Sequence, residues 1–440
     1  MSQILQTGQI IQAKNSGATC QVKNLLGAGT QGEVYKVDQN NSEIALKWYF
    51  PQWINQDPGQ KQRLEKAISS GAPNDKFLWP IDLAEAPDVD GYGYIMRLRE
   101  PQFKSIIDLM KRRVEPTFRN LATAGFELVD SYYQLHAKGL CYRDISFGNV
   151  FFDPDSGEVR ICDNDNVDED GKPGAVDGTP RFMAPEIVRG EALPSTQTDL
   201  FSLAILLFYM LFTHHPLEGA KEQEIHCFDL PAMTKLYGTE PVFIFDPEDD
   251  SNRPVPGEQD NPLAFWPIYP QFLKDLFTKA FTEGIRDPQN GRVRETEWRS
   301  AMIKLRDSII YCPHCGAENF YDVHVLKQQR KLNPCWSCDK ELQVPPRIRI
   351  GKSVVMLNYD TKLFSHHIDD QKKYDFSTPI AEVTRHPTKP NLWGLKNLSE
   401  EKWVVTTADN SVKEVEQGRS TTLAVGTKIN FGKDQGEIRT

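Results

Sequence analysis

The stretch CYRDISFGNV, Cys141 to Val150, lies within a long region whose patterns are mainly helical. That region runs from Pro116 to about Arg306 and includes TDLFSLAILLFYML and PQFLKDLFTKAF, in which apolar residues recur at helical spacing. The first 100 residues read instead as strands, such as EVYKVDQ and SEIALKWYF, with one helix, KQRLEKAIS, that ends at Gly71. A β-rich lobe followed by a helical lobe is an unusual order within one domain. This order therefore reduces the number of folds that the sequence could adopt.

A glycine-rich stretch, LLGAGTQGEVYKV, supplies Gly27, Gly29 and Gly32, and Val34 follows two residues later. Because EVYKV continues as a strand, these glycines are predicted to lie in a hairpin and not at the start of a helix. A glycine hairpin brings backbone close to phosphates, since no Cβ atom stands in the way. The next strand carries Lys47 between apolar residues. A lysine there either faces water at an edge or has a specific partner.

Taken together, these motifs resemble those of eukaryotic-like Ser/Thr protein kinases over about residues 20 to 306. The stretch CYRDISFGN is similar to the kinase catalytic loop, and the strand VRIC ends at Asp163, where kinases carry a metal-binding aspartate. GTPRFMAPE, ending at Glu186, resembles the segment that closes the activation loop. Asp199 opens an apolar helix like the kinase F helix, and Arg292 matches the late arginine that pairs with Glu186.

The resemblance implies an α+β bilobal protein kinase fold and transfer of the γ-phosphoryl group of ATP to Ser/Thr hydroxyls of protein substrates. In that family the aspartate at position 144 orients the substrate hydroxyl, and Lys47 contacts the α- and β-phosphates. Asn149 and Asp163 would bind Mg²⁺ or Mn²⁺, because hard cations prefer oxygen ligands. A helix glutamate would hold the lysine, and Glu65 is the glutamate inside the predicted helix. The implied catalytic set is Asp144, Lys47, Asn149 and Asp163, and the implied ATP-binding set is Gly27, Ala28, Gly29, Gly32, Val34, Ala45, Lys47, Glu65, Met96, Asn149 and Asp163.

Four residues, in three places, depart from the family pattern. Tyr142 replaces the usual histidine, and its ring is expected to pack under the loop. Asn164 and Asp165 replace Phe-Gly after the metal aspartate. Since asparagine does not bury without hydrogen-bond partners, this loop is predicted either to be held by polar contacts or to flip out less readily. Asp165 would either add a carboxylate near the metals or be solvated. Ser146 stands where these kinases have a lysine, so a pseudokinase that serves as a nucleotide-binding scaffold is the alternative function.

The segment from Asp163 to Gly178 contains no Ser, Thr or Tyr. Switching by phosphorylation needs a hydroxyl there. One hypothesis is that Asp168, Glu169 or Asp170 supplies the negative charge that Arg143 otherwise takes from a phosphate. The alternative is a solvated acidic loop.

Two Cys-x-x-Cys pairs, Cys312/Cys315 and Cys335/Cys338, are separated by 19 residues. Four thiolates at this spacing predict a closed, structural Zn²⁺ site, and the module resembles a zinc ribbon. About 35 residues bury too little surface to fold alone, so metal binding would drive folding. A redox Cys-x-x-Cys lacks its surrounding βαβ pattern here.

The last 95 residues or so alternate apolar and polar residues between turns, which predicts an all-β domain. WGLKNLS and LAVGTKINFG resemble, weakly, parts of a forkhead-associated β-sandwich. The Gly-Arg expected at the first strand turn is absent, so no phosphopeptide site is assigned and an interaction or scaffold role is predicted.

Bulk properties set further expectations. The net charge of −10 gives no support to nucleic-acid binding. No signal peptide is visible, and the apolar run Leu200 to Phe212 is too short to span a bilayer, which predicts a cytoplasmic protein without membrane contact. The region around Phe243 to Pro267 resembles bacterial kinases that occur beside a protein phosphatase and a von Willebrand A-type protein in stress operons, which suggests those two as partners. The predicted organisation is an N-terminal segment (1–19), a kinase domain (20–308, with lobes 20–100 and 101–308), a zinc ribbon (309–345) and a β-sandwich (346–440).

Overall fold

The computed structural model describes residues 3–174, 176–372 and 374–440. The chain forms two compact units. One consists of Met1–Trp266 with Lys274–Ser300, and the other of Pro267–Leu273 with Ala301–Thr440.

The first unit begins with a closed antiparallel barrel of six strands. Its strands are β1 (Ile10–Ala13), β2 (Thr19–Ala28), β3 (Gly32–Gln39), β4 (Ser42–Tyr49), β5 (Asp82–Ala86) and β6 (Val89–Arg97), in the order β1-β2-β3-β4-β6-β5. Strand β1 pairs with both β2 and β5 and so closes the barrel. The segment before residue 20, predicted to lie outside the kinase domain, therefore supplies a strand of the small lobe.

Two helices connect β4 to β5: α1 (Pro51–Gln56) and α2 (Gln60–Ser70). Helix α2 is the one predicted from the sequence, and it ends at Gly71, whose φ of +67° suits glycine. The short helix α1 was not predicted. It begins directly at Pro51, since proline fits the first turn of a helix.

The rest of the first unit is mainly helical. Its strands are β7 (Lys104–Ser105), β8 (Leu140–Cys141), β9 (Val150–Phe152), β10 (Val159–Ile161) and β11 (Asp168–Glu169). Its helices are α3 (Ile106–Met110), α4 (Phe118–His136), α5 (Pro185–Val188), α6 (Thr196–Phe212), α7 (Ala220–Gln223), α8 (Leu230–Thr234), α9 (Asp260–Phe265), α10 (Gln271–Phe281), α11 (Glu283–Arg286) and α12 (Glu295–Asp307), of which α10 and α12 extend into the second unit. Side-chain oxygens of Ser105, Thr117 and Ser195 cap α3, α4 and α6. The apolar run in α6 is buried throughout, as predicted for a core helix.

The second unit contains the cysteine-rich segment and the C-terminal strands. Its elements are β12 (Ile309–Tyr311), β13 (Glu318–Phe320), α13 (Val323–Gln329), β14 (Arg347–Ile350), β15 (Ser353–Met356), β16 (Lys362–Phe364), α14 (Ser365–Ile368), β17 (Pro379–Arg385), β18 (Trp393–Asn397), β19 (Trp403–Thr406), β20 (Val412–Val415), β21 (Ser420–Thr422), β22 (Lys428–Asn430) and β23 (Gln435–Arg439). A six-stranded sheet, β15-β14-β23-β22-β19-β20, and a four-stranded sheet, β16-β17-β18-β21, contribute to one apolar core that includes Leu363, Leu395 and Trp403. The predicted β-rich C-terminal region is therefore present.

The cysteine-rich segment packs together with these strands. Ile310 and Leu332 form one buried cluster with Met356 of β15, and the side-chain amide of Asn358 donates to the carbonyl of Ile309 at 2.7 Å. The boundary predicted at residue 345 thus separates two stretches of chain that share a core.

Among the residues that the structure describes, no helix combines the length and the apolar character needed to cross a bilayer.

Candidate active site

Lys47 lies on β4 and reaches into the space between the two lobes of the first unit. Its Nζ donates to Oδ1 of Asp163 at 3.1 Å, to both carboxylate oxygens of Asp165 at 3.1 and 2.9 Å, and to Oε1 of Gln31 at 2.7 Å. The side chain is 5% exposed, so the alternative of a solvent-facing lysine is wrong. Burial alone would lower the pKa of Lys47, but the two adjacent carboxylates outweigh it and raise that pKa.

The expectation that Glu65 holds this lysine is corrected by the structure. Glu65 is about half exposed and bonds Nζ of Lys14 at 3.3 Å. Its neighbour Leu64 is fully buried, and consecutive helix residues point about 100° apart, so both cannot face the core. Gln60 lies four residues before Leu64, on the same helix face, and is also buried. The residue of α2 that approaches Asp165, a partner of Lys47, is therefore a glutamine, with Nε2 of Gln60 3.5 Å from Oδ2 of Asp165.

Asp165 is buried and surrounded by polar donors, so it is not solvated. Beside Lys47, it accepts the hydroxyls of Tyr49 at 2.6 Å and Tyr94 at 3.1 Å. Burial alone would raise its pKa, but Lys47 and the Tyr49 hydroxyl outweigh burial and hold the pKa of Asp165 below its ordinary value. The solvated alternative for Asp165 is therefore wrong, and its carboxylate lies beside Lys47, which also contacts Asp163.

Asn164 is also buried, and its side-chain amide donates to the carbonyl of Ile161 at 3.0 Å. This bond satisfies the amide nitrogen, whereas Oδ1 of Asn164 is buried without a hydrogen-bond partner among the described residues. The loop after Asp163 is therefore held by polar contacts, one of the two alternatives raised by the sequence.

Asp144 and Asn149 are joined directly. The amide nitrogen of Asn149 donates to Oδ2 of Asp144 at 3.0 Å and to its backbone carbonyl at 2.9 Å. Since the amide nitrogen of Asn149 is turned to Asp144, its side-chain oxygen is the atom that remains available as an acceptor. The hydroxyl of Thr179 donates to Oδ1 of Asp144 at 2.7 Å.

Asp199 on α6 holds the backbone of the loop that precedes Asp144. Its carboxylate accepts the N–H groups of Tyr142 at 2.5 Å and of Arg143 at 2.9 Å. Arg143 has a φ of +75° and Asp163 a φ of +51°, which are costly for residues with a side chain and occur where surrounding contacts impose them. The Tyr142 ring is fully buried and its hydroxyl donates to the carbonyl of Cys162, as expected from packing under the loop.

The glycine-rich stretch forms the hairpin between β2 and β3. Gly27 pairs with Val34, and the N–H of Gly29 donates to the carbonyl of Gly32 at 2.9 Å. A Cβ at Gly27 or Gly29 would meet no atom within 4 Å, which leaves these positions open to a ligand. Gly32 differs, because a Cβ there would lie 2.1 Å from the carbonyl oxygen of Trp48. Its glycine is required by strand packing whether or not a ligand binds.

The apolar residues predicted to bind ATP lie together on the barrel. Ala45 pairs with Met96, and both belong to one cluster with Val34. The same cluster includes Leu78 and Cys162, which sequence reasoning did not single out. Ala45 lies on the same strand as Lys47, two residues before it.

A model of the protein kinase domain matches residues 20–281, more than half of the chain. The chain belongs to the protein kinase domain family. It is similar to protein kinase C delta type of Rattus norvegicus, with 34% identity over 233 residues that cover 50% of this chain and 33% of that protein. It is also similar to protein kinase C-like 2 of Schizosaccharomyces pombe (33% identity over 211 residues, 46% of this chain and 20% of that protein) and to serine/threonine-protein kinase plk-2 of Caenorhabditis elegans (28% identity over 130 residues, 28% of this chain and 20% of that protein). The chain spans a third or less of the length of these relatives.

The acidic segment of the kinase domain contacts Arg143. Oδ2 of Asp168 lies 3.5 Å from Nη2 of Arg143, whose side chain is 2% exposed. Glu169 pairs instead with Lys66 and Lys172 at the surface, and Asp170 accepts the N–H of Thr196. Of the three acids proposed for this role, the structure brings Asp168 to the arginine.

The kinase domain also contains the predicted ion pair between Glu186 and Arg292. Nη2 of Arg292 contacts both carboxylate oxygens at 2.6 and 2.8 Å, and its side chain is 2% exposed. A guanidinium that bonds a carboxylate in this way fixes its orientation as well as its distance.

In the second unit, the four cysteine sulfurs lie within 4.8 Å of one another. Sγ of Cys312 is 3.6 Å from that of Cys338, and Sγ of Cys315 is 3.7 Å from that of Cys335. Four sulfurs arranged tetrahedrally at about 2.3 Å from a zinc ion would be about 3.8 Å apart. Each pair also starts a similar turn, in which the N–H of the first cysteine bonds a carbonyl five residues later, Ala317 or Lys340, at 2.9 Å.

Three residues of the kinase site were not assigned their roles from the sequence: Gln31, Asp165 and Thr179. Gln31 lies inside the glycine motif, and its amide nitrogen donates to Asn166 at 3.0 Å while its oxygen accepts from Lys47. Thr179 lies inside GTPRFMAPE. Both belong to motifs that the sequence displayed, but a motif does not reveal which side chains meet.

Proposed function

We propose that this chain is an ATP-dependent protein kinase that phosphorylates Ser/Thr hydroxyls of protein substrates. The observation that carries the proposal is the 3.1 Å contact between Lys47 of the small lobe and Asp163 of the large lobe, beside the linked pair Asp144 and Asn149. A cation, a metal-binding carboxylate and a proton acceptor then face one space. Phosphoryl transfer depends mainly on such positioning and charge.

In the proposed reaction the substrate hydroxyl oxygen bonds the γ-phosphorus of ATP while the bond from that phosphorus to the bridging β-phosphate oxygen breaks. The hydroxyl proton passes to Asp144, and ADP leaves. Two donors, Asn149 and Thr179, hold the Asp144 carboxylate in one orientation for this purpose. Lys47 offsets negative charge on the phosphates.

The residues present fit a magnesium ion. The amide oxygen of Asn149 and the carboxylate of Asp163 are hard oxygen donors, and Mg²⁺ or Mn²⁺ bound to them would neutralise charge on the phosphates. Gly27 and Gly29 leave backbone open at the hairpin, which suits close approach by phosphates.

A scaffold that binds nucleotide without chemistry is the second candidate. It is favoured by Ser146, which is buried and stands two residues after Asp144, where Ser/Thr kinases have a lysine. In an active enzyme, Lys47 and the metal must carry the charge that this lysine would neutralise.

Transfer of radiolabelled phosphate from ATP to the chain itself and to a generic protein substrate distinguishes the two candidates. We expect the wild type to incorporate label, and Lys47→Ala and Asp163→Ala to lose it by orders of magnitude. If Asp163→Ala incorporates as much label as the wild type, Asp163 is not the residue that binds the metal. Binding of ATP by the wild type without any label in either acceptor would favour the scaffold.

We also propose that Cys312, Cys315, Cys335 and Cys338 bind a structural Zn²⁺. The sulfur separations of 3.6 and 3.7 Å fit a tetrahedral thiolate site, and four protein ligands leave no position for a substrate. Four further proposals rest on sequence resemblance. The first two are that this module and the β-sandwich recruit partners, and that the sandwich is related to forkhead-associated domains. The other two are that the chain acts in a bacterial stress system, and that a protein phosphatase and a von Willebrand A-type protein are its partners.

A further inference from the structure

The buried ammonium of Lys47 needs a fixed counter-ion if it is to meet phosphates at one position. A carboxylate delivered by a helix is the arrangement expected from the sequence, yet the one acidic residue of α2, Glu65, faces outward to Lys14. The residue that α2 directs inward is Gln60, which carries no charge. Its Nε2 lies 3.5 Å from Oδ2 of Asp165, and its Oε1 is buried without a hydrogen-bond partner among the described residues.

Asp165 has the contacts of a built counter-ion site. Its side chain is 0% exposed, and both of its oxygens contact Nζ of Lys47. The hydroxyls of Tyr49 and Tyr94 also donate to it, at 2.6 and 3.1 Å. A buried carboxylate is costly unless it is paired and hydrogen-bonded, and here both conditions are met. Asp163, in contrast, is 37% exposed on its side chain and contacts Lys47 through one oxygen.

We propose that Asp165 is the positioning residue that holds Lys47 for phosphate binding, in place of a helix glutamate. The metal-site aspartate and the lysine's counter-ion then belong to one turn of chain, Asp163 to Asp165. The lysine is fixed by the loop that also presents the metal-binding carboxylate, and a displacement of α2 does not break its ion pair. This inference rests on the proposed function for what the lysine does, but the ion pair itself can be tested without catalysis.

A relocated charge tests the proposal. Asp165→Asn removes the charge with little change in shape. Gln60→Glu places a carboxylate on the helix face that already contacts Asp165. We expect Asp165→Asn to weaken binding of a fluorescent ATP analogue and to lower phosphate transfer, each by at least about tenfold. We expect the double variant Asp165→Asn/Gln60→Glu to recover most of both losses. Asp90→Asn, an exposed change of the same kind on β6, is the matched control and should leave both within twofold.

Glu65→Gln is the deciding comparison. If it reduces ATP-analogue binding and transfer as much as Asp165→Asn does, the helix glutamate holds the lysine in solution and the proposal is overturned. Full transfer by Asp165→Asn would overturn it as well. A purely structural role for Asp165 predicts that the relocated charge restores nothing, because Gln60→Glu does not rebuild the contacts to both tyrosines.

Thermal unfolding tests the ion pair between Lys47 and Asp165 even if the variants have little activity. The melting temperatures of wild type, Lys47→Met, Asp165→Asn and the combined variant Lys47→Met/Asp165→Asn form a mutant cycle. We expect Lys47→Met/Asp165→Asn to lose less than the sum of the single losses, since Lys47→Met leaves the buried Asp165 without its cation and Asp165→Asn leaves Lys47 with Asp163 as its remaining carboxylate partner. Additive losses would contradict the ion pair. If the mutant cycle shows this coupling but the wild type transfers no phosphate, the proposed activity is refuted and the ion pair inferred here still stands.

Discussion

Thr179 donates its hydroxyl to Oδ1 of Asp144 at 2.7 Å, while Asn149 donates to Oδ2 at 3.0 Å. Each carboxylate oxygen therefore has its own donor, one from the catalytic loop and one from the segment before α5. The plane of the carboxylate is fixed by two parts of the chain that are 30 residues apart at Asn149 and Thr179.

Thr179→Val should lower the rate of phosphate transfer about tenfold, because it removes one hydrogen bond to a charged group, worth about 1.5 kcal/mol. Thr179→Ser keeps the hydroxyl and should retain most of the rate. ATP-analogue binding should be the same in all three proteins, since Thr179 contacts Asp144 and not the lysine site. Equal losses in the serine and valine variants would contradict a role of the hydroxyl alone, because Thr179→Ser keeps that hydroxyl.

The contact between Asp168 and Arg143 predicts activity without phosphorylation of the acidic segment. Phosphatase-treated wild type should transfer phosphate at the rate of untreated protein. Asp168→Asn should reduce that rate several-fold, because Arg143 then loses a carboxylate partner in a nearly buried position. Glu169→Gln is the control, as Glu169 lies at the surface with Lys66 and Lys172. A treated wild type that is inactive would contradict this prediction.

His136 predicts a pH-dependent contribution to stability. Its ring nitrogens bond Asp199, at 3.0 Å, and Glu295. Burial alone would lower its pKa, but these two carboxylates outweigh burial and raise the pKa to about 9 from an ordinary value of 6.5. Because the folded-state pKa is raised, the stabilisation is complete below about pH 6.5 and is lost as the pH rises through about 9.

Comparison of wild type with His136→Gln by urea unfolding, from pH 6 to pH 10, checks this. The difference in unfolding free energy should be about 3 kcal/mol at pH 6, from 1.36 kcal/mol per pKa unit, should shrink steadily above about pH 6.5 and should be small by pH 10. A difference that stays constant over this range would mean that the charged form of His136 is not what stabilises the fold.

The buried pair Glu186–Arg292 predicts a large cost for removing one partner. Arg292→Met should destabilise the kinase domain by about 3–5 kcal/mol, because it leaves a buried carboxylate unpaired. The double change Arg292→Met/Glu186→Leu should cost less than the single change. Lys235→Met is the control, since the Lys235–Glu240 pair is exposed and such pairs contribute about 0–1 kcal/mol. Chemical unfolding measures all three; equal costs for Arg292→Met and Lys235→Met would be the contrary result.

The cysteine site predicts one zinc ion per chain by elemental analysis of purified protein. Cys335→Ser should lose most of the metal and lower the melting temperature of the second unit, because Cys335 is buried within the four-sulfur cluster. Cys227→Ser, at an exposed thiol outside the cluster, should keep the metal. Wild-type protein without bound zinc, after expression with the metal supplied, would refute the site.

Much of the kinase site could be predicted because each motif depends on residues close together in the chain. The glycine hairpin follows from glycines next to a continuing strand, and the bond between Asp144 and Asn149 spans five residues. The cysteine spacing likewise gave the four-sulfur cluster directly. Such local patterns fix which residue types are present and on which element they lie.

The partner of Lys47 could not be predicted in this way. Choosing Glu65 assumed that the acidic residue of α2 faces inward, but the buried side of the helix is set by Leu64 and Gln60 packing on the barrel. Which side of a helix is buried depends on all the elements packed around the helix. The position of a single glutamate in a short helix does not reveal that side.

The sequence by itself determined the chemistry available to this protein: a lysine on a strand, an aspartate and an asparagine on one loop, a second aspartate after a strand, and four paired cysteines. Only the tertiary structure decided how charges pair, by bringing Asp165 within 2.9 Å of Lys47 across 118 residues of chain. The physical reason is that a buried ion selects the partner that also has hydrogen bonds to satisfy it, and the Tyr49 and Tyr94 hydroxyls provide those bonds only after the barrel and the large lobe have packed together.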